Sequence, residues 1–356
     1  MKKLFFYASM MLAVCTTWSC ANDDNAAEEG ESTPSAGTVE NPISLSEAIA
    51  EGGEIALEPG AVYTIDEEIT TNGPVAIVGD EAKPATIIAK AGIVISNNFE
   101  LANVEIDATE VETALFQLNP EPTAEPLNGT SYLGIEKIAL TNVKATGVKH
   151  SIIWDSNKQY CVVNLVIDNS IIELATESTN NQAFISFQGG GVKDLVVKNS
   201  TVYQTAAAEN NYFTRYHNSA RLDRYGYDKN TETQSISYLN NTFYNVGQNG
   251  QFGNYNGMAG QAYSEWHVVA NIFYNTGNGQ VSRRILGGRN ASSYKICEFD
   301  QNTYWFKGAP EEGNTSYDTG KQLQSDPNFR DPENGDFKVR GTEQGLNGTG
   351  DPRWLK

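Results

Sequence analysis

Short groups of two or three apolar residues alternate with polar turns from about residue 54 onward, and helical periodicity is nearly absent. The phrase NTFYN at 241–245 returns as NIFYN at 271–275 and as NTYWF at 302–306. Weaker copies are LANVE around residue 103, LTNVK around 142, IDNSI around 169 and VKNST around 199. Each copy predicts a strand, a tight turn and a second strand.

Seven asparagines mark the predicted turns at intervals of 27 to 42 residues: Asn103, Asn142, Asn169, Asn199, Asn241, Asn271 and Asn302. Units too short to bury their own apolar face must stack on their neighbours. Asparagines that recur at one corner of such a stack can form hydrogen bonds to each other. The pattern therefore predicts an all-β, single-domain parallel β-helix, in which these asparagines hold the fold rather than catalyse.

A short helix is predicted at the start of this solenoid. Ser44 and Glu47 have the spacing of a capping box. Leu45, Ala48 and Ile49 lie on one helical face, and Gly52 and Gly53 end the helix. A helix from Ser44 to Glu51 can cover the first open strand edge.

The stretches GEIALEPGAVYTI, VAIVGDEAKPATII and SDPNFRDPENGDFKV carry a family resemblance. With the preceding helix they resemble the pectate-lyase-like superfamily of right-handed parallel β-helices over roughly residues 43–340. The chain is also similar to β-helix lipoproteins of uncharacterised function that accompany the breakdown of plant polysaccharides. The superfamily fold hosts lyases, hydrolases, isomerases and non-catalytic binders, so it leaves the activity open.

The first residues predict secretion and lipid attachment. Lys2 and Lys3 precede an apolar run from residue 4 to 14, which is too short to span a bilayer. Residues 1–19 then resemble a lipoprotein signal peptide with Cys20 as the lipidated residue; a plain cleaved signal is the alternative. The acidic stretch 20–41 is predicted to be a flexible tether, the β-helix domain to span 42–340, and 341–356 to be a tail.

The acidic run after Cys20 resembles the surface-export signal of lipoproteins in polysaccharide-utilisation systems. The expected location is the outer membrane, facing the cell exterior, with membrane contact only through the lipid anchor. The net charge of −19 makes nucleic acid an improbable partner. We expect a monomer.

Two cysteines, Cys161 and Cys297, remain in the predicted domain. They fall on strands four units apart, which is roughly 19 Å at the spacing of neighbouring strands. That separation exceeds the reach of a disulfide, so both are predicted to be free and mostly buried.

Two aromatic positions follow the repeated turn. Neighbouring residues of a strand point to opposite faces, so one column is predicted to be core (Val202, Phe243, Phe273, Tyr304) and the next to face outward (Tyr203, Tyr244, Tyr274, Trp305). The outward column is either a platform for sugar rings or aromatic packing beneath long loops.

Three long inserts, 205–235, 245–266 and 275–294, leave the same predicted strand end and should stack along one edge. Six of the nine arginines fall within two of them: Arg215, Arg221, Arg224, Arg283, Arg284 and Arg289. A guanidinium binds a carboxylate or sulfate through two parallel hydrogen bonds. The inserts are therefore predicted to line a groove for an anionic glycan; the alternative is pairing of the arginines with nearby acidic residues.

Binding without catalysis is the favoured function: capture of a uronate-rich polysaccharide for a glycan-utilisation system. The first alternative is a polysaccharide lyase, with Arg215, Tyr216 and His217 as candidate catalytic residues. No cofactor or metal site is predicted, and Ca²⁺ is considered only for that lyase. Glycoside hydrolysis is disfavoured because the Asp-Asp pair and the Gly-His-Gly motif of the superfamily's polygalacturonases are missing from the predicted domain. The second alternative is a structural or adhesive solenoid.

Overall fold

The computed structural model of the chain describes residues 44–122, 125–175, 183–204, 212–247, 251–277, 281–286, 290–310 and 322–355, and of residues 282–284 only the backbone. Strands dominate, with 42% strand against 11% helix, and the sheets are largely parallel. The predicted all-β character is therefore confirmed at this level. In the ranges given, no helix is long and apolar enough to cross a membrane.

The helices are α1 (Leu45–Glu51), α2 (Val281–Leu286) and α3 (Thr342–Asn347). Short 3-10 turns occur at Leu127–Gly129, Ala291–Ser293, Pro332–Asn334 and Pro352–Trp354. The strands, in chain order, are β1 (Gly53–Ala56), β2 (Val62–Ile65), β3 (Ile69–Thr70), β4 (Val75–Val78), β5 (Ala85–Ala89), β6 (Ile93–Ile95), β7 (Phe99–Asp107), β8 (Phe116–Leu118), β9 (Leu133–Val148), β10 (Ile153–Trp154), β11 (Tyr160–Asp168), β12 (Ile171–Leu174), β13 (Ile185–Ser186), β14 (Gly191–Lys198), β15 (Thr201–Gln204), β16 (Thr214–Arg215), β17 (Gln234–Leu239), β18 (Thr242–Tyr244), β19 (Gly253–Asn254), β20 (Ser264–Val269), β21 (Ile272–Tyr274), β22 (Ile296–Asp300), β23 (Thr303–Phe306) and β24 (Ala309–Pro310).

These strands pair into three parallel ladders. The first ladder joins β1, β4, β7, β9, β11, β14, β17, β20 and β22. The second joins β2, β5, β7, β9, β12, β15, β18, β21 and β23. Strands β7 and β9 are long enough to belong to both, so the two ladders form one sheet of 17 strands, which β24 joins in antiparallel fashion.

The third ladder is a separate seven-stranded sheet made of β3, β6, β8, β10, β13, β16 and β19. The chain visits the first, second and third ladders in that order in successive repeats, and neither sheet closes on itself. After β20 and β21, in the repeat before the last, helix α2 occupies the place in the sequence where a strand of the third ladder would stand.

The core lies between the ladders and is built by alternation along each strand. The predicted core column is confirmed, because Val202, Phe243, Phe273 and Tyr304 are all nearly inaccessible to solvent. Phe243 stacks on Phe273 at 5.3 Å between ring centroids, and Phe273 on Tyr304 at 5.4 Å. Aromatic pairs add to the free energy gained by burying their area.

From β7 onward, a sharp corner separates the first ladder from the second in each repeat. Its residue adopts the left-handed conformation, with φ between 48° and 57°, at Asn103, Asn142, Asn169, Asn199, Asn240, Ala270 and Gln301. Asparagine tolerates this region better than most residues because its short side chain can form local hydrogen bonds. The amides of Asn103, Asn142 and Asn169 indeed bond to each other across the repeats.

The prediction that Asn142, Asn169, Asn199, Asn241 and Asn271 occupy one column at a turn is wrong by one position for Asn241 and Asn271; Asn240, the alternative to Asn241, is the residue at the corner. Asn241, Asn271 and Asn302 stand one residue after the corner, where earlier repeats carry Ser170 and Ser200. We call this position, filled by Val143, Ser170, Ser200, Asn241, Asn271 and Asn302, the inner corner column. The shift moves the asparagine side chains from a partly exposed to a fully buried position.

The inner corner column carries a continuous chain of hydrogen bonds. The backbone N–H of each residue donates to the side-chain oxygen of the next repeat, at 3.0–3.1 Å, from Val143 through to Asn302. Each asparagine amide also donates to a buried backbone carbonyl, as Asn271 does to Tyr238 at 2.7 Å. Backbone N–H and carbonyl groups at the corner cannot pair within the ladders, and these bonds give them partners.

The predicted N-terminal helix is present. Ser44 accepts from the backbone N–H of Glu47, and Glu47 accepts in return from the N–H of Ser44, so the capping box is complete. Leu45 and Ile49 are buried, and Gly52 ends the helix with φ at 88°.

The two cysteines of the predicted domain are free, as predicted. Cys161 lies buried in β11 and Cys297 half-buried in β22, four strands further along the first ladder.

The C-terminal residues 322–355 form a strap across the outward face of the second ladder. Within the strap, the predicted tail runs back over successive repeats and makes specific contacts. Its hydrogen bonds join Gln344 to Thr303, Gly350 to Ala270, Asp351 and Trp354 to Thr201, and Arg353 to Asn169. The interpretation of residues 341–356 as a tail separate from the domain therefore needs correction for the described part, 341–355.

Replacing Asn271 with alanine should lower the free energy of unfolding by about 2–5 kcal/mol, because the N–H of Asn241 and the carbonyl of Tyr238 would lose partners in a buried position. Denaturant titration measures this. Asn164→Ala, which removes a half-buried amide on an outer strand face, is the control and should cost less than about 1 kcal/mol. A loss below 1 kcal/mol for Asn271→Ala would contradict the role given to this column.

Candidate functional site

The outward face of the third ladder carries a line of side chains that we call the row: Trp154, Ser186, Arg215 and Asn254. Direct strand pairing sets them side by side, Trp154 with Ser186, Ser186 with Arg215, and Arg215 with Asn254. The backbones of neighbouring members are therefore about 4.8 Å apart, measured from one strand to the next. The row crosses its strands and runs in the direction in which the repeats stack.

Buried aromatic residues flank three of the four strands of the row, β13, β16 and β19. Each of these three is preceded by a buried phenylalanine and followed by another inward-facing aromatic ring: Phe184 and Phe187, Phe213 and Tyr216, and Phe252 and Tyr255. The first residue of each strand points into the core, which leaves the second to point out.

Three polar atoms of the row are shielded from solvent and have no hydrogen-bond partner among the described residues: Trp154 Nε1, Ser186 Oγ and Asn254 Oδ1. Ser186 is fully buried, flanked by the half-buried Trp154 and Arg215. Buried polar groups nearly always have a partner, and an exception requires an explanation such as a bound ligand or water. The row thus presents hydrogen-bonding groups that the described protein atoms leave unused.

Arg215 contributes the positive charge of the row. Its guanidinium lies 5.8 Å from the centre of the Tyr212 ring, a cation–π arrangement that orients it. It forms no ion pair with any residue in the described ranges. A half-buried, oriented guanidinium of this kind can accept a carboxylate through two parallel hydrogen bonds.

A buried carboxylate, Asp155, holds the chain behind the row. Its Oδ2 accepts from the backbone N–H groups of Gly189 at 2.7 Å and Gly190 at 2.8 Å, and its Oδ1 from Asn157 at 3.0 Å. A side chain at Gly190 would clash, since its Cβ would lie 1.9 Å from the Tyr160 carbonyl oxygen. Burial raises the pKa of Asp155 to about 6, although these N–H donors oppose the shift.

Tyr216 is unsuited to the catalytic role considered for it. Its phenol is buried in the core beside Phe187 and Tyr255, and burial raises its pKa well above the ordinary value. A base must reach the proton that it removes. Of the other two candidates, Arg215 lies in the row, while His217 lies on an exposed turn with its Nδ1 2.6 Å from Ser219 Oγ.

The outward column of aromatic residues is largely covered by the strap. Tyr203 is 9% and Tyr244 5% exposed, and Phe337 packs on both at 5.0 and 5.4 Å between ring centroids. Tyr274 is half-buried against Phe329, and Trp305 is half-buried beside β24. The rings face outward as predicted, but this packing leaves Tyr203 and Tyr244 almost no surface for a sugar.

The other predicted arginines lie apart from the row or outside the description. Arg221 Nε is 3.4 Å from Asp223 Oδ1, as the pairing alternative expects, and Arg224 is exposed in a nearby cleft. Arg283 and Arg284 belong to α2, but their side chains lie outside the described residues, as do Arg289 and Cys20. In the ranges that the structure covers, no group of three or more His, Cys, Asp and Glu side chains is placed to hold a metal ion.

The three inserts, predicted to be long loops along one edge, contain β16, β19 and α2 in their described parts. They also supply core residues such as Phe213, Phe252 and Ile285. Sequence reasoning missed the row because strands of two residues show no alternation. A signal was present in the pairs of aromatic residues three apart, at 184 and 187, 213 and 216, and 252 and 255.

Two stretches of the chain match the sequence models of protein families. Residues 61–205 match DUF4957 and residues 236–354 match DUF5123, each described as a domain of unknown function. Neither a curated protein nor a solved structure matches the chain. The two stretches share contacts, because Arg353 and Trp354 of the second form hydrogen bonds to Asn169 and Thr201 of the first.

Asp155 should make stability depend on pH. Its pKa of about 6 in the folded protein exceeds the ordinary 3.8, so the folded state keeps a proton that the unfolded state releases. The free energy of unfolding should therefore fall by up to about 3 kcal/mol as pH rises from about 4 to about 6.

Asp155→Asn should remove this slope and lower stability at every pH, because an amide cannot accept all three N–H bonds. Denaturant titrations at several pH values measure both effects. Asp80→Asn, at an exposed turn, is the control and should keep the slope of the parent. A constant difference between the parent and Asp155→Asn across this range would show that Asp155 does not cause the slope.

Proposed function

We propose that the chain is a surface lipoprotein that binds acidic, uronate-rich polysaccharide along the row. One observation carries this proposal: an indole and a guanidinium without an ion-pair partner among the described residues stand in line on one sheet face, beside three shielded polar atoms that no described residue bonds. A linear polymer lying along the row could contact the half-buried Trp154 and Arg215 together. The indole offers an apolar face to a sugar ring, and Arg215 offers a partner for a carboxylate.

For the fold, we propose a right-handed parallel β-helix of the pectate-lyase-like superfamily. It is supported by the fixed order in which the chain visits the three ladders and by the left-handed asparagine corner in successive repeats. An elongated scaffold of this kind keeps its outward side chains at regular intervals, which suits a repeating ligand.

For the location, we propose the outer membrane, with Cys20 lipidated and the protein facing the cell exterior as a monomer. The support is the signal-like run of residues 1–19 and the acidic stretch that follows Cys20. The lipid would be the sole contact with the membrane, and a net charge of −19 disfavours nucleic acid as a partner.

Binding is favoured over lyase activity by the position of Tyr216. A tyrosine base for β-elimination must face the substrate, whereas this phenol lies in the core. The neighbours of Arg215 along the row, Ser186 and Asn254, are not titratable groups that could act as a base. The row is therefore built for recognition.

Arg215→Ala should weaken binding to polygalacturonate by about 10-fold to 100-fold, the equivalent of losing one hydrogen bond to a charged group. Arg215→Lys should recover only part of the affinity because an ammonium lacks the planar fork. Trp154→Ala should weaken binding to acidic and neutral polymers alike. Affinity gel electrophoresis and calorimetry provide the measurements.

The exposed Arg340 supplies a matched control, and Arg340→Ala should bind as the parent does. The ultraviolet absorbance of the polymer is also followed during incubation with the protein. Formation of unsaturated uronate products would show that the protein is a lyase rather than a binder. Unchanged affinity in both Arg215→Ala and Trp154→Ala would exclude the row as the binding site.

A further inference from the structure

A second open site lies on the turn that leads from the third ladder to the first. We call it the Arg224 cleft; its volume is about 350 Å³. One wall is the segment 130–132, which precedes β9, and the other wall belongs to the insert after β16. The polar groups that line it come from Thr130, Ser131, Gln159, Ser219, Asp223 and Arg224.

Long-range contacts hold the two walls in place. Tyr132 donates its hydroxyl proton to the backbone oxygen of Ser219 at 3.1 Å, and its ring meets Tyr225 edge to face at 4.9 Å. Asn128 donates to the Tyr225 carbonyl at 3.0 Å, and Gly226 passes so close that a Cβ there would lie 2.7 Å from Asn128. The cleft is therefore formed before any ligand arrives, which lowers the entropic cost of binding.

The charges of the cleft select the kind of ligand. Arg224 is exposed and has no ion-pair partner in the described part of the chain, so its five donors are available. Asp223 follows Arg221 closely and lies next to Arg224 in the chain. Its Oδ1 is 3.4 Å from Arg221 Nε, so its carboxylate can still accept hydrogen bonds from a ligand. A bare inorganic anion would gain from Arg224 but be repelled by Asp223, whereas a ligand with both a carboxylate and hydroxyl donors satisfies both.

The volume of the Arg224 cleft and the polar groups on its walls narrow the class of ligand further. Thr130 and Ser219 use their hydroxyls within the protein, on Leu127 and His217, whereas Ser131 and Gln159 can both donate and accept, as ring hydroxyls of a sugar do. A volume of about 350 Å³ lies near the lower limit of ligand pockets, which fits one ring rather than several.

We infer that the Arg224 cleft binds a single acidic sugar, such as the terminal or branching uronic acid of a polysaccharide. Arg224 holds the carboxylate, Asp223 accepts from the ring hydroxyls, and Ser131 and Gln159 complete the contacts. The site has its own residues and does not depend on the row. Three of its residues, Ser219, Asp223 and Arg224, fall between the two family matches, in a stretch that neither family model covers.

Titration of the full-length protein with free galacturonate and glucuronate, followed by ligand-observed NMR, tests this inference. Binding should be seen for at least one acid in the parent and weaken at least 10-fold in Arg224→Ala, with partial recovery in Arg224→Lys. Arg340→Ala should bind the monosaccharide as the parent does.

Three results would overturn the inference: no binding of either acid to the parent, unchanged binding in Arg224→Ala, or equal binding of inorganic phosphate, which would reveal a simple anion site. None of these results affects the row, whose binding of polymer is measured separately through Trp154→Ala and Arg215→Ala. A parent protein that binds the monosaccharide but not the polymer would exclude the row and leave the cleft.

Discussion

The backbone of this protein must turn a left-handed corner in successive repeats, and the hydrogen bonds at that corner make the stacking of the repeats possible. A corner removes N–H groups from the ladders, and buried N–H groups without acceptors are costly. The inner corner column supplies the acceptors from the side chains of the following repeat, first serine hydroxyls and then asparagine amides. Each repeat is thereby satisfied by its neighbour, which is why a single unit could not be stable alone.

This dependence explains what the amino-acid sequence reveals of the fold. Asparagines spaced by about thirty residues indicated stacked strand–turn–strand units, because few residues accept both a left-handed turn and a buried hydrogen-bonding position. The same chemistry makes the register of the turn ambiguous. In the early repeats asparagine stands at the corner, and in the later ones it stands one position after it. Ala270 and Gln301 then adopt the left-handed conformation at the corner. Pattern alone cannot separate two adjacent positions that favour the same residue.

The site was harder to foresee for a different physical reason. Whether an outward-facing ring is available to a ligand depends on what lies over it, and the strap that covers Tyr203 and Tyr244 comes from more than eighty residues further along the chain. Trp154 and Ser186 attracted no attention because strands of two residues have no periodicity to read. Arginine placement was more informative, since it drew attention to the insert that holds both Arg215 and Arg224. A charged residue can be recognised from the sequence alone, whereas the covering of a side chain by a distant segment depends on the folded structure.

The strap also has a consequence for how such a protein can change over evolution. Open repeat arrays gain and lose units readily because each unit touches only its neighbours. Here Gln344 is bound at the repeat of Thr303, while Arg353, nine residues later, is bound at the repeat of Asn169. The segment between them has a fixed length and crosses the intervening repeats. Duplication or deletion of one of those repeats would move one contact out of reach of the segment. The number of repeats in that interval is therefore tied to the length of a segment that belongs to none of them.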